Sequence, residues 1–379
     1  MDANFHRIET PLTDSMYKIL CLIDGLTLGG AERQLIGLAS LLGQKGYKVE
    51  LAYYHQKCFY DELIHEKRIQ TRYIDTGKSR LGKFYHVYRF VTKGKYDVVI
   101  CFKRPNVIAC AAKLFGARFK LIVSDRNTNQ KLSIEDRLMF FMYRWADYVV
   151  PNSFSQREFI CTHFSRLISK TVVITNFTDT KHFTPSGKNA NGHPLRVLTV
   201  ARMAKQKNVA NYLYAIKQVT DQRHDVIFEW YGDVQPGEED YWQECCELVE
   251  KLNVNEFVSF HPSTTNIADV YRDCDVFCLP SLFEGYPNAL CEAMSCGKPV
   301  LCSRVCDNPQ IVEEGQNALL FTPDDVDDIS KIILKMLSLS REERYSMGQK
   351  SRLLAEERFS EEVFVKKYIR LIEDNPSQR

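Results

Sequence analysis

Two α/β lobes, each a parallel sheet covered by helices on both faces, are what this chain of 379 residues predicts. Three observations lead there. Short apolar runs of strand length alternate with stretches whose apolar residues recur three to four apart. The alternation comes in two series, separated at residues 183–194 by a tract of Gly, Pro, Asn and Ser. The length also exceeds one ordinary core.

In the first series the strand-like runs fall at 18–24, 48–54, 98–102, 120–124 and 148–151, with helical patterns at 31–44 and 134–145. The second has runs at 196–200, 226–231, 258–260, 276–279 and 299–302, then a helical end over 325–373. The expected division is a patternless tail at 1–15, a first lobe at 16–183, a linker at 184–194, a second lobe at 195–357 and a final helix at 358–379.

Apolar residues make up 45% and aromatic residues 12%, as suits a globular chain with sizeable cores. The net charge of +2 conceals an asymmetry. Residues 1–183 hold 28 Lys/Arg against 17 Asp/Glu, whereas residues 184–379 hold 22 against 31. Chance variation between lobes accounts for this, or else the basic lobe meets an anionic membrane surface or a phosphate-bearing acceptor.

Thirteen cysteines are scattered through apolar runs, as at Cys21, Cys101, Cys278 and Cys291. No Cys-x-x-Cys pair suggests zinc, and the pattern is not a disulfide framework, so a reducing cytoplasm is expected. The chain start lacks a positive segment followed by an apolar one, and no apolar run of 18 residues occurs. An integral membrane protein is therefore not expected. Residues 1–15 are expected to be disordered or a start-site extension.

The most informative stretch is Ser281-Leu-Phe-Glu284-Gly-Tyr-Pro-Asn-Ala-Leu-Cys-Glu292-Ala-Met-Ser-Cys-Gly297. Proline fits a helix start, because its missing N–H has no intrahelical partner there. A helix is predicted from Pro287 or Asn288 to Cys296, stopped by Gly297. Its N-terminal N–H groups and dipole favour an anion, typically phosphate. Glu284 precedes the helix and Glu292 lies inside it, about 10 Å apart at ~1.5 Å rise per residue. Carboxylates so spaced do not act on one bond. They suit a long ligand with hydroxyls at both ends and phosphates in the middle, such as a sugar nucleotide.

Two other motifs bear on the same ligand. Arg202 and Lys207 follow the first strand of the second lobe, and open α/β sheets bind ligands at strand C-terminal ends. Arginine offers a planar fork to phosphate and lysine a point charge. Gly29-Gly30 follow a strand and open a helix, so the backbone can approach a ligand, or simply turn tightly. Gly25-Leu-Thr-Leu-Gly29-Gly30 does not supply a Gly-x-Gly-x-x-Gly fingerprint, which disfavours a dehydrogenase. Asp273-Cys-Asp275 has the form of an Asp-x-Asp metal motif but lies at a helix-to-strand junction. Residues 78–95 contain six Lys/Arg, interleaved aromatics and no acid. They suit a basic amphipathic helix on an anionic bilayer, or an ordinary solvated helix. Nucleic-acid binding is not expected, because no binding module accompanies them.

Together, Leu28-Gly29-Gly30-Ala31-Glu32-Arg33-Gln34-Leu35, Val200-Ala-Arg202-Met-Ala-Lys205-Gln-Lys207-Asn208 and the Glu284/Glu292 element resemble the motifs of family 4 retaining glycosyltransferases. These are the large GT-B group that uses nucleotide-sugar donors, and the resemblance spans residues 17–372, in the family's order. It implies two Rossmann-like lobes facing across a cleft, with the segment from Phe359 returning to the first lobe. It further implies that Arg202 and Lys207 hold the diphosphate and that Glu292 takes the ribose hydroxyls. Glu284 would be catalytic at the sugar, as an electrostatic partner or a covalent nucleophile. The backbone of Gly29 and Gly30 would meet the donor phosphate or acceptor hydroxyl. That of Gly285, Tyr286, Pro287, Asn288, Ala289 and Leu290 would cradle donor sugar and phosphate. Gly232, Asp233 and the loop from Phe260 to Ser263 would border the base.

One departure lies in the first lobe. Where many relatives carry a catalytic histidine, this chain has Ser124-Asp125-Arg126-Asn127, similar to a Ser-Glu-Arg-Asn variant of the family. Asp125 would orient the acceptor hydroxyl and Arg126 meet a phosphate, or the two would form an ion pair that shapes the cleft. The resemblance implies a hexosyl- or N-acetylhexosaminyltransferase that needs no metal or other cofactor. It would act on a glycan or lipid-carrier-linked acceptor in surface polysaccharide assembly, such as capsule or lipopolysaccharide. It would be cytoplasmic, or peripheral on the inner face of the plasma membrane. A sugar-nucleotide epimerase and a non-catalytic nucleotide-sugar-binding subunit stay open beside it.

Overall fold

The structure, a computed structural model, describes residues 17–374 apart from 28, 57, 78, 130 and 187–193. The tail expected at 1–15, most of the linker, Leu28 of the glycine motif and Lys78 of the basic stretch lie outside the described residues. The chain divides into two compact units.

The first unit begins β1 (Lys18–Leu22), α1 (Gly30–Gln44), β2 (Lys48–Tyr53), α2 (Asp61–Glu66), β3 (Thr71–Tyr73) and α3 (Arg80–Lys93). It continues with β4 (Val98–Phe102), α4 (Pro105–Leu114), β5 (Lys120–Asp125), α5 (Ile134–Met142) and β6 (Tyr148–Pro151), followed by α6 (Phe154–His163). All its strands are parallel, in the order β3-β2-β1-β4-β5-β6. The second series is β7 (Leu195–Val200), α7 (Val209–Thr220), β8 (Val226–Tyr231), α8 (Glu239–Leu252), β9 (Val258–His261), α9 (Ile267–Asp273) and β10 (Val276–Leu279). Then come α10 (Asn288–Ser295), β11 (Val300–Ser303), α11 (Asn308–Ile311), β12 (Ala318–Phe321), α12 (Val326–Ser338), α13 (Arg341–Phe359) and α14 (Glu361–Glu373). Its sheet is also parallel, in the order β12-β11-β10-β7-β8-β9.

Central strands such as β4 and β10 are buried along their whole length, as parallel strands covered on both faces must be. In each unit the first strand lies beside the fourth, β1 by β4 and β7 by β10. The order reverses there, which in open α/β sheets marks the ligand-binding crevice at the carboxyl ends of the two strands.

The boundaries differ from those expected. Residues 174–183 and 152–156 belong to the second unit, and 365 onward to the first. Burial explains the shift. Phe183 sits in the core of the second unit, the rings of Phe177 and Phe364 lie 4.9 Å apart, and the Thr178 N–H donates to Phe359 O at 2.8 Å. The composition change at 183 marks where a surface tract begins, ten residues after the core changes hands.

Caps set several helix starts. Ser79 accepts from the Gly82 N–H at 2.9 Å to open α3, and Ser133 with Asp136 forms a capping box on α5. Helix α10 begins at Asn288 and is followed by Gly297 at φ +71, the left-handed stop the sequence called for. Gly232 is required for another reason: a Cβ there would run into the carbonyl oxygen of Ala201. That lets the ends of β7 and β8 approach closely.

All thirteen cysteines are free, and nine are buried. Burial pushes the thiols of Cys21 and Cys278 up to about 12. Since the thiolate is the reactive form, a chromogenic thiol reagent at neutral pH should label at most Cys58, Cys161, Cys246 and Cys306 in the native protein. All thirteen should react after denaturation, and rapid native labelling of more than four would contradict this packing.

Candidate active site

The second unit gathers its chemistry where β7 and β10 end. After β7 the chain makes a short 3₁₀ turn, Lys205–Lys207, and then Asn208 adopts a left-handed conformation at φ +63. Asparagine tolerates that region better than most residues. The buried Asn208 amide donates to Pro280 O at 3.1 Å and Pro323 O at 2.6 Å, tying the loops after β7, β10 and β12 together. Gln206 reinforces the join: its amide donates to Phe283 O at 2.9 Å, and its carbonyl accepts from the Leu282 N–H at 2.8 Å.

Within that scaffold the Lys207 ammonium meets Glu284 Oε1 at 2.6 Å, and the Ser281 hydroxyl donates to the same oxygen at 2.5 Å. Both charged side chains are largely buried, 13% and 7% exposed, so the pair is only weakly screened by solvent. The residues are 77 apart in sequence. Lys207 therefore does not wait free for a phosphate; it already has one anionic partner at the mouth of the crevice. Arg202 is different. It is exposed and makes no side-chain hydrogen bond or ion pair among the described residues.

Glu292 lies inside α10, buried, and accepts from the Tyr271 hydroxyl at 3.1 Å. Leu290 and Tyr286 are buried in the core of the second unit, so only their backbone is available to a ligand. Asn176 donates to Asn288 Oδ1 at 2.8 Å at the start of α10. The carboxylate of Asp233 accepts from the Ser263 N–H at 3.0 Å, fixing the loop beyond β9. Asp275 accepts from the Arg196 N–H at 2.9 Å at the start of β7. Its position at the foot of the sheet separates it from the crevice.

In the first unit the reversal point lies after β1 and β4. Gly29, extended at φ −176, caps α1. The Tyr60 hydroxyl brackets its peptide, donating to Gly29 O at 3.0 Å and accepting from its N–H at 3.3 Å. A Cβ on Gly29 would meet the Glu32 carboxylate. Glu32, only 2% exposed, pairs through Oε1 with Lys103 at 2.5 Å and accepts from the Thr27 hydroxyl at 3.2 Å. Its Oε2 is buried without a partner. Lys103 holds φ +65, an uncommon conformation for lysine, directly after β4.

Asp125 ends β5, buried, and accepts from the Asn127 N–H at 3.2 Å. Arg126 is anchored rather than displayed. Its Nε donates to Ser124 Oγ at 2.8 Å, its Nη2 to the Tyr368 hydroxyl at 2.9 Å, and the guanidinium lies 4.3 Å from the Phe102 ring centre. Burial lowers its pKa, against the raising effect of Tyr368 and Asp125.

The structure thus brings Lys207 and Glu284 together and sets Arg202 on the same loop as Lys207. Glu32, Lys103, Tyr60, Ser281 and Asn208 were not singled out individually from the sequence. Glu32 and Lys103 are 71 residues apart, and only the adjacency of β1 and β4 joins them.

Comparison with known proteins follows the same division. The model described as Glycosyltransferase Family 4 matches residues 28–182, and that described as Glycosyl transferases group 1 matches residues 181–354. A Campylobacter jejuni protein, N-acetylgalactosamine-N,N'-diacetylbacillosaminyl-diphospho-undecaprenol 4-alpha-N-acetylgalactosaminyltransferase, is 26% identical over 76% of this chain and 81% of its own. The amylovoran biosynthesis glycosyltransferase AmsD of Erwinia amylovora is 27% identical over 76% and 80%. Among solved structures, Anabaena HepE in complex with UDP superposes with a TM-score of 0.82 at 22% identity, covering 93% of this chain and 98% of that one.

Proposed function

Because the chain belongs to the family 4 glycosyltransferases, we propose that it moves a hexose or N-acetylhexosamine from a nucleoside-diphosphate sugar to a glycan or lipid-carrier-linked acceptor, with retention and without a metal. The carrying observation is the Lys207–Glu284 pair at the carboxyl ends of β7 and β10, with the unpaired cation of Arg202 on the adjoining loop. The undecaprenol-linked substrate in the C. jejuni relative's name and the UDP bound to HepE support the acceptor and donor classes.

In this reading the donor diphosphate lies against the N-terminus of α10. Arg202, Lys207 and the free helix N–H groups stabilise the charge that builds as the sugar departs. Glu284, held by Ser281, faces the donor sugar and stabilises positive charge at its anomeric carbon. The acceptor attacks from the face the leaving group vacates, and a donor phosphate oxygen takes its proton. Glu292 accepts hydrogen bonds from the ribose. In the first unit Asp125 orients the acceptor, while Arg126 holds the end of β5. The reaction belongs to surface polysaccharide assembly, and an acceptor on a lipid carrier brings the enzyme to an anionic membrane surface.

Calorimetric titration of UDP, GDP and ADP in EDTA tests the donor half. One nucleotide should bind selectively, and Arg202→Ala should weaken it about tenfold to a hundredfold, the worth of a charge-assisted hydrogen bond. Unchanged affinity in that variant removes Arg202 from the site. Binding that appears only with added divalent cation overturns the metal-free reading.

A further inference from the structure

Seventeen large hydrophobic side chains are exposed among the described residues, and eight of them lie on α3, the end of α4 and α5. These helices cover one side of the first sheet: α3 packs on α4, α4 packs on α5, and all three contribute to one core cluster. Helix α1 contributes nothing to that cluster and exposes no large hydrophobic residue. The exposed apolar surface of the first unit is concentrated on one helical layer.

Periodicity shows that these residues form stripes. On α3 the exposed Leu81, Phe84 and Tyr85 are spaced as i, i+3 and i+4, on one side of the helix, and the half-buried Tyr88 at i+7 joins them to the core. It adjoins the buried line, which carries Val87 and Val91, so the apolar side of α3 runs on from the core into solvent. On α5, Ile134, Leu138 and Phe141 repeat at i, i+4 and i+7, away from the buried Phe140. Leu81 is 85% exposed and Ile134 86%. Phe115, just past α4 and 71% exposed, has its ring 6.4 Å from that of Tyr88 and so extends the α3 stripe. A solvated helix needs one apolar stripe, for its core. Helix α5 carries a second, and α3 widens its own well beyond the core.

Charge identifies what covers it. Helix α3 contains Arg80, Lys83, Arg89 and Lys93 and no acid. Arg89 donates to the Tyr85 hydroxyl at 3.2 Å, and the Arg144 guanidinium lies 5.0 Å from the Phe141 ring centre, so cations flank both stripes. Of the two acids on α5, Asp136 is engaged in the capping box with Ser133. An apolar surface spread across three helical elements and rimmed by arginine, lysine and tyrosine matches an anionic bilayer. Rings and aliphatic chains enter the acyl boundary while cations meet headgroup phosphates. A second copy of the chain fits poorly, because a two-fold pairing of this face would set α3 cations against one another.

We propose that the α3–α5 face of the first unit docks on an anionic lipid bilayer, inserting Leu81, Tyr85, Phe115, Ile134, Leu138 and Phe141. The proposal deepens the membrane contact named above and rests on that part of the reading. Its test does not use the transferase reaction.

The test is co-sedimentation of the full chain with vesicles of phosphatidylcholine alone or mixed with phosphatidylglycerol. The protein should partition onto the mixed vesicles and release as salt rises. Leu138→Ser/Phe141→Ser and Arg89→Glu/Lys93→Glu should each lower the partition coefficient about tenfold or more, with the thermal midpoint unchanged. Nucleotide calorimetry on the same samples reports separately on the donor site, so loss of one reading leaves the other standing. No partition of the wild type onto mixed vesicles overturns the proposal, as does partition of both variants as strong as that of the wild type. A dimer in light scattering that the Leu138→Ser/Phe141→Ser variant dissociates assigns the face to a second copy instead.

Discussion

Glu284→Gln is expected to lower turnover about a hundredfold to a thousandfold, while nucleoside-diphosphate affinity stays within about threefold. The substitution is nearly isosteric, so the Ser281 hydroxyl keeps an oxygen to donate to. What disappears is the negative charge, and with it any stabilisation of a sugar that becomes positive only in the transition state. Ground-state binding does not use that charge, so kcat falls and affinity is spared. Lys207 loses its anionic partner and becomes freer to engage phosphate, so nucleotide affinity should be level or slightly higher. Steady-state kinetics beside calorimetry checks this. Equal loss of turnover and affinity would make Glu284 a binding residue.

The second large effect falls on stability. Arg126→Ala should lower the thermal midpoint of the transition that reports the first unit, by about 2–3 kcal/mol in stability. It removes two charge-assisted hydrogen bonds and a cation–π contact from a partly buried site, and leaves the ring of Phe102 and the hydroxyl of Tyr368 facing a void. Arg126→Lys keeps the charge but loses the fork, and should recover less than half. Calorimetric scans of the three proteins decide it. An unshifted midpoint together with collapsed turnover would return Arg126 to direct contact with substrate.

These two residues show how much of the site was legible. Glu284 stood out because strand, loop and helix N-terminus follow one another locally in the sequence. Arg126 was legible as a chemical group but not as an anchored one, since its partner Tyr368 lies 242 residues away. The Lys207–Glu284 and Glu32–Lys103 pairs share that obscurity: strand order, which periodicity does not specify, makes each pair neighbours. The fold was more accessible. Central strands such as β4 and β10 are buried apolar runs, and each strand run read from the sequence falls on a strand of the structure. Two strands escaped. β3 is three residues long, wholly exposed and paired only with β2, so it has no apolar pattern. β12 is four apolar residues, too short to tell strand from helix by period. The helical pattern at 134–145 tightens into a 3₁₀ turn at Tyr143–Trp145, a common way for a helix to end.

The first unit's dependence on residues from 365 onward has a consequence for biosynthesis. Val365, Tyr368 and Ile372 of α14 are fully buried there, and Tyr368 and Glu373 hold Arg126 and Tyr47. A ribosome delivers β1 to β6 first, then about 200 residues of the other unit, and only afterwards this segment. At ~5–20 residues per second the nascent first unit waits on the order of 10–40 s with part of its core uncovered. The lobe made first is thus the one completed last. A message truncated before codon 365 would yield a finished second unit joined to an open first one, the form that chaperones and proteases of the cell retain.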